Sequence, residues 1–300
     1  MKALKIISAL LIVSGIFISC EKVIDIDLDD SKARLVVEGG LFIYTEPASN
    51  TGYQTIQLRT SHPYFGAADA DYSVSGATVM VVNNTSGDEY IFTESNLQSG
   101  LYEINNLDPE LNTGYTLYVS ATVGGELQEF IAKDSIRQVA PPMDELSFHL
   151  DSTGSKSDND KELGHLTLVS FLEPQETKDY YKFDTYLNDT LVRNEIDGGS
   201  QWILLKRDEH LDEVVDSVII NDYLIPLKNS GDDLRVEMTL ITKETYFYLF
   251  TLWENAANAG SDFPAAEVKG NIINTTHSDR YGLGYFHCGS RSEILTTVPQ

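Results

Sequence analysis

The side chains that could bind a metal ion or act as catalysts are six histidines, two cysteines and 46 carboxylates in a chain of 300 residues. The histidines are His62, His149, His165, His210, His277 and His287. No two of them stand three to five residues apart, as paired zinc ligands often do. The sequence also lacks Gly-x-Ser-x-Gly, His-Glu-x-x-His, a phosphate loop and a dinucleotide fingerprint.

These absences lead us to expect no metal, no cofactor and no catalytic residue of a familiar type. Carboxylates are the exception, because two of them can hydrolyse a glycosidic bond without a sequence motif. With 46 acidic residues in the chain, no pair can be chosen without geometry. A surface hydrolase acting on glycan or peptide therefore stays as an alternative.

Cys20 is the residue whose surroundings predict a defined modification. Lys2 and Lys5 precede an apolar run, residues 6–18, that is shorter than the ~20 residues needed to span a bilayer. A basic start and a short apolar run are typical of a signal peptide, here residues 1–19. Because Cys20 follows directly, the segment resembles a bacterial lipoprotein box, in which the cysteine carries a diacylglycerol and an acyl chain such as palmitate. An ordinary signal peptide with an incidental cysteine is the alternative.

Lipidation at Cys20 predicts a membrane-anchored protein, because two or more acyl chains anchor stably. Residues 24–29 alternate apolar and acidic side chains, which predicts a strand close after the lipid. The body should therefore lie near the membrane lipid. Whether it faces the periplasm or the cell surface stays open.

The charge of the chain excludes one class of partner. Lys and Arg number 21 against 46 Asp and Glu, which leaves a net charge of −25. Such a surface repels the phosphates of nucleic acid. We therefore expect no nucleic-acid partner.

Short alternating segments between turn residues predict a mainly β protein. In residues 20–140 the predicted strands are 35–43, 55–59, 77–82, 89–93, 100–104, 115–123 and 127–133. This density of short strands is typical of a β-sandwich. Leu107 and Pro109 ahead of Tyr115 also fit the corner of an immunoglobulin-like sandwich, where a tyrosine hydroxyl bonds back to the backbone. We therefore predict an immunoglobulin-like β-sandwich domain at 20–140.

A β-rich second domain is predicted at 163–300, after a polar linker at 141–162. Its predicted strands are 166–171, 181–187, 190–193, 201–206, 217–220 and 234–240. One segment near 242–259 places Phe247, Phe250 and Trp253 at helical spacing, with Thr242 able to cap its start and Gly260 able to end it. We predict an amphipathic helix whose aromatic stripe faces the core. A ligand platform is the alternative.

Two aromatic residues in one loop are candidates for binding. Tyr64 and Phe65 stand between polar segments, and exposed aromatic residues are enriched at interfaces. They could contact a ligand or partner, or they could pack inward as a plug. The sequence favours neither hypothesis.

Several short stretches together resemble the DUF4249 lipoproteins of Bacteroidota. The stretches are Cys20-Glu21-Lys22-Val23-Ile24, Leu35-Val36-Val37-Glu38-Gly39, Val74-Ser75-Gly76-Ala77-Thr78-Val79, Gly100-Leu101-Tyr102, Gly114-Tyr115-Thr116-Leu117, Tyr180-Tyr181-Lys182-Phe183, Val268-Lys269-Gly270-Asn271-Ile272 and Leu283-Gly284-Tyr285-Phe286. Their order and spacing carry the resemblance across nearly the whole chain after residue 19. The resemblance implies an outer-membrane lipoprotein of unassigned activity, often encoded beside TonB-dependent transporter-like proteins, and it supplies no catalytic residues.

Four hydroxyl side chains resemble the O-glycosylation sites of the same phylum. Each follows an aspartate and precedes an apolar residue or a threonine. They are Ser135, Ser152, Thr190 and Ser217. The resemblance implies that these four could carry glycans.

Our leading hypothesis is an accessory or binding subunit of a TonB-dependent transporter-like or other outer-membrane complex. Its partner would be an outer-membrane β-barrel or a TonB-dependent receptor-like protein. A subunit predicts a large apolar patch with a polar rim. A hydrolase predicts instead a deep pocket that holds carboxylates of raised pKa. An adhesin or structural module is a further alternative.

Overall fold

The computed structural model describes residues 32–45, 52–61, 71–151, 164–174, 176–191, 194–196, 199–201, 204–207, 214–219, 231–258 and 268–297. The strands and the helix presented below lie within Ala33–Gln300. The strand predicted at 24–29 lies outside the described residues. The protein is mainly β, as the sequence predicts.

Seven strands make up the first part of the fold. They are β1 (Leu35–Tyr44), β2 (Gln54–Thr60), β3 (Thr78–Asn83), β4 (Glu89–Glu94), β5 (Leu101–Ile104), β6 (Thr113–Val123) and β7 (Glu126–Ile136). All seven predicted strands of this region are confirmed, with boundaries displaced by three residues at most. Alternation of buried and exposed side chains is clearest in β6, where Tyr115, Leu117 and Val119 point inward.

These seven strands form a sandwich around one core. β1, β2 and β5 make one wall, β3, β6 and β7 make the other, and β4 pairs with both β5 and β3. Ile56 and Leu58 from the first wall pack in the same buried cluster as Val81 and Leu117 from the second. Burial of these side chains is what stabilises the pairing of the two walls.

Tyr115 forms the corner that the sequence predicts. Its hydroxyl accepts the backbone N–H of Glu110 at 2.7 Å, while its ring is buried in the core. Burial raises the pKa of Tyr115 to about 12, so the hydroxyl keeps its proton. The hydrogen bond fixes the turn that leads into β6.

Replacing Tyr115 by phenylalanine is expected to lower the free energy of unfolding by about 1 kcal/mol, because the Glu110 amide loses its acceptor while the ring stays packed. Urea unfolding of both proteins measures the difference. Tyr118→Phe is the matched control, since Tyr118 lies on the same strand with its side chain exposed. Equal effects of the two substitutions would contradict a stabilising corner.

The second part of the fold extends the sandwich sheet. Its strands are β8 (Met143–Asp151), β9 (Gly164–Leu172), β10 (Tyr180–Leu187), β11 (Thr190–Leu191), β12 (Asn194–Ile196), β13 (Gly199–Gln201), β14 (Leu204–Arg207), β15 (Val214–Ile219), β16 (Asp233–Leu240), β17 (Ile273–Asn274) and β18 (Leu283–Thr297). β18 runs parallel to β1 and antiparallel to β16, and β16 continues to β10. A separate sheet of β8, β9 and β15 shares a second buried cluster with these strands, which includes Phe171, Tyr181 and Met238.

Four strands, β8, β12, β17 and β18, lie outside the segments that the sequence predicts as strands. β8 lies inside 141–162, so residues 143–151 of the predicted linker are in fact a strand, paired with β9 through a bulge near Met143. β18 was not predicted, although it is a strand of 15 residues. The division of the chain into domains at 20–140 and 163–300 stays a prediction, and β18 supplies side chains to the cluster of the first part.

Helix α1 (Lys243–Ala257) confirms the predicted helix. The Thr242 side chain accepts the Thr245 N–H at 3.3 Å, and the helix ends with Asn258 as its C-cap. Gly260 lies outside the described residues. Of the described residues, none forms a helix long and apolar enough to cross a membrane.

The aromatic stripe of α1 does not lie where the sequence predicts. The buried residues of the helix are Thr245 and Tyr246, whereas Phe247 is 41% exposed and Phe250 and Trp253 are half-buried. The prediction of a core-facing stripe is therefore wrong. The aromatic contacts of α1 with the large sheet come from its first turns, where Tyr246 packs on Tyr180 of β10 and Tyr248 packs on Tyr285 of β18.

Candidate functional site

Three adjoining cavities meet at Glu244, in the first turn of α1. Their volumes are about 260, 320 and 500 Å³. Tyr285 of β18 lines two of them, and so does Ser135 of β7. We call this continuous depression, between the start of α1, the end of β7 and the first half of β18, the α1 cleft.

Asp134 is one of the two carboxylates that line the α1 cleft, and Glu244 is the other. One of its oxygens accepts the Ser135 N–H at 2.8 Å, and the other accepts the Cys288 N–H at 2.8 Å. The side chain therefore ties β7 to β18. Burial raises the pKa of Asp134 to about 6, although the hydrogen bonds from the two backbone amides lower it. The nearby charge of Glu244 raises this pKa further, and the charge of Arg137 lowers it.

The pKa of Asp134 predicts a pH dependence of stability. A carboxyl whose pKa rises from 3.8 to about 6 on folding stabilises the folded state fully below pH 4, and this contribution is lost as the pH rises through 6. Between pH 4.5 and 7.5, wild type is expected to lose about 2 kcal/mol relative to Asp134→Asn, which has no titrating group there. Urea unfolding of both proteins at the two pH values measures it. If the difference in unfolding free energy between wild type and Asp134→Asn is the same at both pH values, the raised pKa of Asp134 is contradicted.

Aromatic rings surround the helix side of the cleft. The Tyr248 and Tyr285 ring centroids lie 5.2 Å apart, and Phe247 lines the same 500 Å³ cavity. Burial raises the pKa of both tyrosines to about 12, so neither is charged at neutral pH. These rings give the cleft an apolar wall beside its charged end.

A set of paired charges, the charged face, lies on three adjacent strands. Register places Lys182 opposite Thr239 and Arg291, and Asp184 opposite Glu237 and Glu293. The members are Lys182, Asp184, Arg235, Glu237, Arg291 and Glu293. Lys182 contacts Asp184, and Arg235 contacts Glu237. Because cations and carboxylates balance and pair within this set, we assign it a structural role.

Arg291 is the centre of the charged face. Its guanidinium lies 3.7 Å from a Glu237 oxygen and 3.2 Å from the Tyr44 hydroxyl, and it stacks 3.5 Å from the centroid of the Phe42 ring. His287 packs edge-on against the same ring of Phe42. Burial lowers the pKa of His287 to about 3, so the imidazole stays neutral.

The outward face of the sandwich carries a second candidate surface. Ile91, Met80, Tyr118, Ile131 and Ile273 stand directly opposite one another across β4, β3, β6, β7 and β17. Ile91 is 66% exposed, Tyr118 is 42% and Ile273 is 59%. At ~4.8 Å between strands, this apolar row is ~19 Å long.

Polar residues border the apolar row. Thr78, Ser120 and Glu129 stand opposite one another two residues away along β3, β6 and β7, and Lys133 borders the other side. A contiguous apolar strip with a polar rim is characteristic of an interaction surface. Lys133 also lines the α1 cleft, so the two surfaces adjoin.

The residues proposed from the sequence are placed as follows. Ser135 lines the α1 cleft, Thr190 is exposed in β11, and Ser217 lies in β15. Cys20, Tyr64, Phe65 and Ser152 lie outside the described residues. Lipidation, ligand contact and O-glycosylation at these positions stay predictions. Within the described part of the chain, no three His, Cys, Asp or Glu side chains are placed to hold a metal ion.

No local sequence pattern identifies the α1 cleft. Asp134, Glu244 and Tyr285 come from β7, α1 and β18, and no local spacing connects them. The apolar row is not predicted from the sequence either, although alternation within strands such as β6 is visible. The registers that align one residue from each of five strands are set by long-range pairing.

The geometry defines a mainly β protein with an immunoglobulin-like sandwich, a sheet that extends from it, and a helix-lined cleft. Residues 21–294 match the family model of a domain of unknown function (DUF4249), and the chain belongs to this family. The resemblance described from the sequence is therefore confirmed for the family. A search of curated proteins finds no match to the chain.

Proposed function

We propose that this protein is a lipid-anchored outer-membrane protein that acts as an accessory or binding subunit of a TonB-dependent transporter-like or other outer-membrane complex. The lipoprotein box at Cys20 supports the anchor. The observation that carries the subunit role is the apolar row across the sandwich. The side of the membrane that the body faces is left open in this proposal.

The apolar row is better suited to contact with a partner protein than to exposure to water. Ile91, Tyr118 and Ile273 keep much of their surface exposed, and removing that surface from water favours association. Self-association is disfavoured, because each copy carries a net charge of −25. The occupant we propose is therefore a different protein, an outer-membrane β-barrel with an apolar strip and a neutral or basic rim.

Purification of the tagged, lipidated protein from native membranes in mild detergent tests the proposal. We expect a β-barrel protein to copurify in stoichiometric amount. Tyr118→Glu, which puts a charge in the middle of the apolar row, is expected to release it. Leu295→Glu is the matched control, because Leu295 is 63% exposed on β18, away from the row. Recovery of the wild type alone, with the lipid confirmed on Cys20, would contradict a fixed complex.

A second candidate function, a surface hydrolase acting on glycan or peptide, is supported by one observation. Asp134, whose pKa is raised to about 6, and Glu244 line the same cavity. Two carboxylates in different environments can act as acid and base. Against this, both oxygens of Asp134 already accept backbone amides. Hydrolysis screens with wild type, Glu244→Gln and Asp134→Asn test it, and activity lost in both variants would favour the hydrolase.

A further inference from the structure

We propose that the α1 cleft binds an acidic sugar, a polyhydroxylated ligand that carries a carboxylate or phosphate group. This site goes beyond the proposed subunit role, because binding in the cleft does not require a partner protein on the adjoining apolar row. The argument rests on the cations, the hydrogen-bonding groups and the rings that line the cleft.

The cations of the cleft are the first observation. Four of them, Lys133, Arg137, Lys178 and Lys243, line the 260 and 320 Å³ cavities, and Lys269 lines the 500 Å³ cavity. Within the described part of the chain, no carboxylate lies within ion-pair distance of any of the four. The chain has only 21 Lys and Arg against 46 acidic residues, so four cations with no carboxylate partner among the described residues are a local exception at this concavity. Across the 260 and 320 Å³ cavities these four cations outnumber the two carboxylates, Asp134 and Glu244, and a concave site with an excess of positive charge attracts anionic ligands.

Arg137 is suited to hold the acidic group. Its Nε donates to the Ser135 hydroxyl at 3.1 Å, which orients the guanidinium and leaves its four other N–H groups for a ligand. The planar guanidinium matches the geometry of carboxylate and phosphate oxygens. Lys178 and Lys243 line the same 260 Å³ cavity and would add charge to the same oxyanion.

The remaining groups select against a simple inorganic anion. Glu244 lines all three cavities, and its carboxylate would repel a ligand that has only negative charge. A ligand with hydroxyl groups can donate hydrogen bonds to it instead. Phe247 and Tyr285 line the neighbouring cavity, where a sugar ring can pack its C–H groups against an aromatic wall. An acidic sugar supplies all three kinds of contact.

Calorimetric titration of the full chain, purified in mild detergent, tests the proposal with glucuronate, glucose 6-phosphate and glucose as probes. We expect at least one of the two charged sugars to bind at least tenfold more tightly than glucose. Binding of glucuronate alone would identify a carboxylate site, and binding of glucose 6-phosphate alone a phosphate site. Binding of both would identify a general oxyanion site. Failure of both charged sugars to bind at millimolar concentration would overturn the proposal.

Variants locate the binding. Arg137→Gln and Lys178→Gln are each expected to lower the affinity for the charged sugar by about tenfold, because each removes one charge-assisted hydrogen bond. Arg280→Gln is the matched control, since it removes the same charge from a residue that lines none of the three cavities. Unchanged affinity in both cleft variants, with unfolding midpoints like wild type, would place the ligand elsewhere. Inorganic phosphate binding as tightly as either sugar would also overturn the proposal.

Discussion

Gly284→Ala is expected to lower the free energy of unfolding by more than about 3 kcal/mol. Gly284 has a φ of +84°, and a Cβ added there would lie 1.9 Å from the carbonyl oxygen of Val37. Val37 is its register partner in the parallel pairing of β1 with β18. Relief of the clash requires β1 to move away from β18, which weakens the pairing that connects the sandwich with β16 and β10.

Gly76→Ala separates the steric clash of the added Cβ from the backbone cost of a positive φ. Gly76 also has a positive φ, +71°, but nothing lies within 4 Å of the added Cβ. Its substitution carries only the backbone cost of a left-handed conformation, about 1–2 kcal/mol. Urea unfolding of wild type and both variants gives the comparison. A loss in Gly284→Ala no larger than that in Gly76→Ala would show that the contact between β1 and β18 is not tight.

Arg291→Met is expected to cost about 3–5 kcal/mol. Methionine has no charge, so Glu237 and Asp184 would keep their buried negative charges with one cation fewer, Arg235 and Lys182 being left as their partners. The stacking on Phe42 and the hydrogen bonds to Tyr44 and Thr239 would also be lost. Thermal or urea unfolding measures the loss at neutral pH.

Arg59→Met is the matched control for the loss of an arginine from an ion pair. Arg59 lies 3.4 Å from Glu38, but both side chains are about half exposed. Water and salt screen such a pair, so its loss should cost less than about 1 kcal/mol. A similar cost for the two arginine variants would mean that the charged face is solvated rather than buried.

The first part of the fold could be predicted because its strands are locally amphipathic. β6 alternates buried and exposed residues over most of its length, and Tyr115 stands in a recognisable corner. The helix was predicted for a similar reason, since Thr242 and the spacing of its aromatic residues are local signals. In each case the residues that decide the structure are neighbours in the chain.

β18 could not be predicted in this way. Its segment includes Gly284, Gly289 and Arg291, which interrupt apolar alternation. Both of its edges are paired, and its polar residues are buried by pairing with distant ones, as Arg291 is with Glu237. The same holds for the α1 cleft, whose walls come from separate elements. Local pattern contains no information about which distant residue completes a pair.

The parallel pairing of β1 with β18 has a consequence for the order of folding. The Thr45 amide donates to the Arg291 carbonyl at 2.8 Å, and the Thr45 hydroxyl bonds the same carbonyl across a separation of 246 residues. Such a high contact order slows folding, because a long loop must close before the contact forms. During synthesis, which proceeds from the N-terminus, β1 is available long before β18. Until then β1 and β16 each keep an unpaired edge, and open edges can pair with other chains. The arrival of β18 therefore closes both open edges in one step.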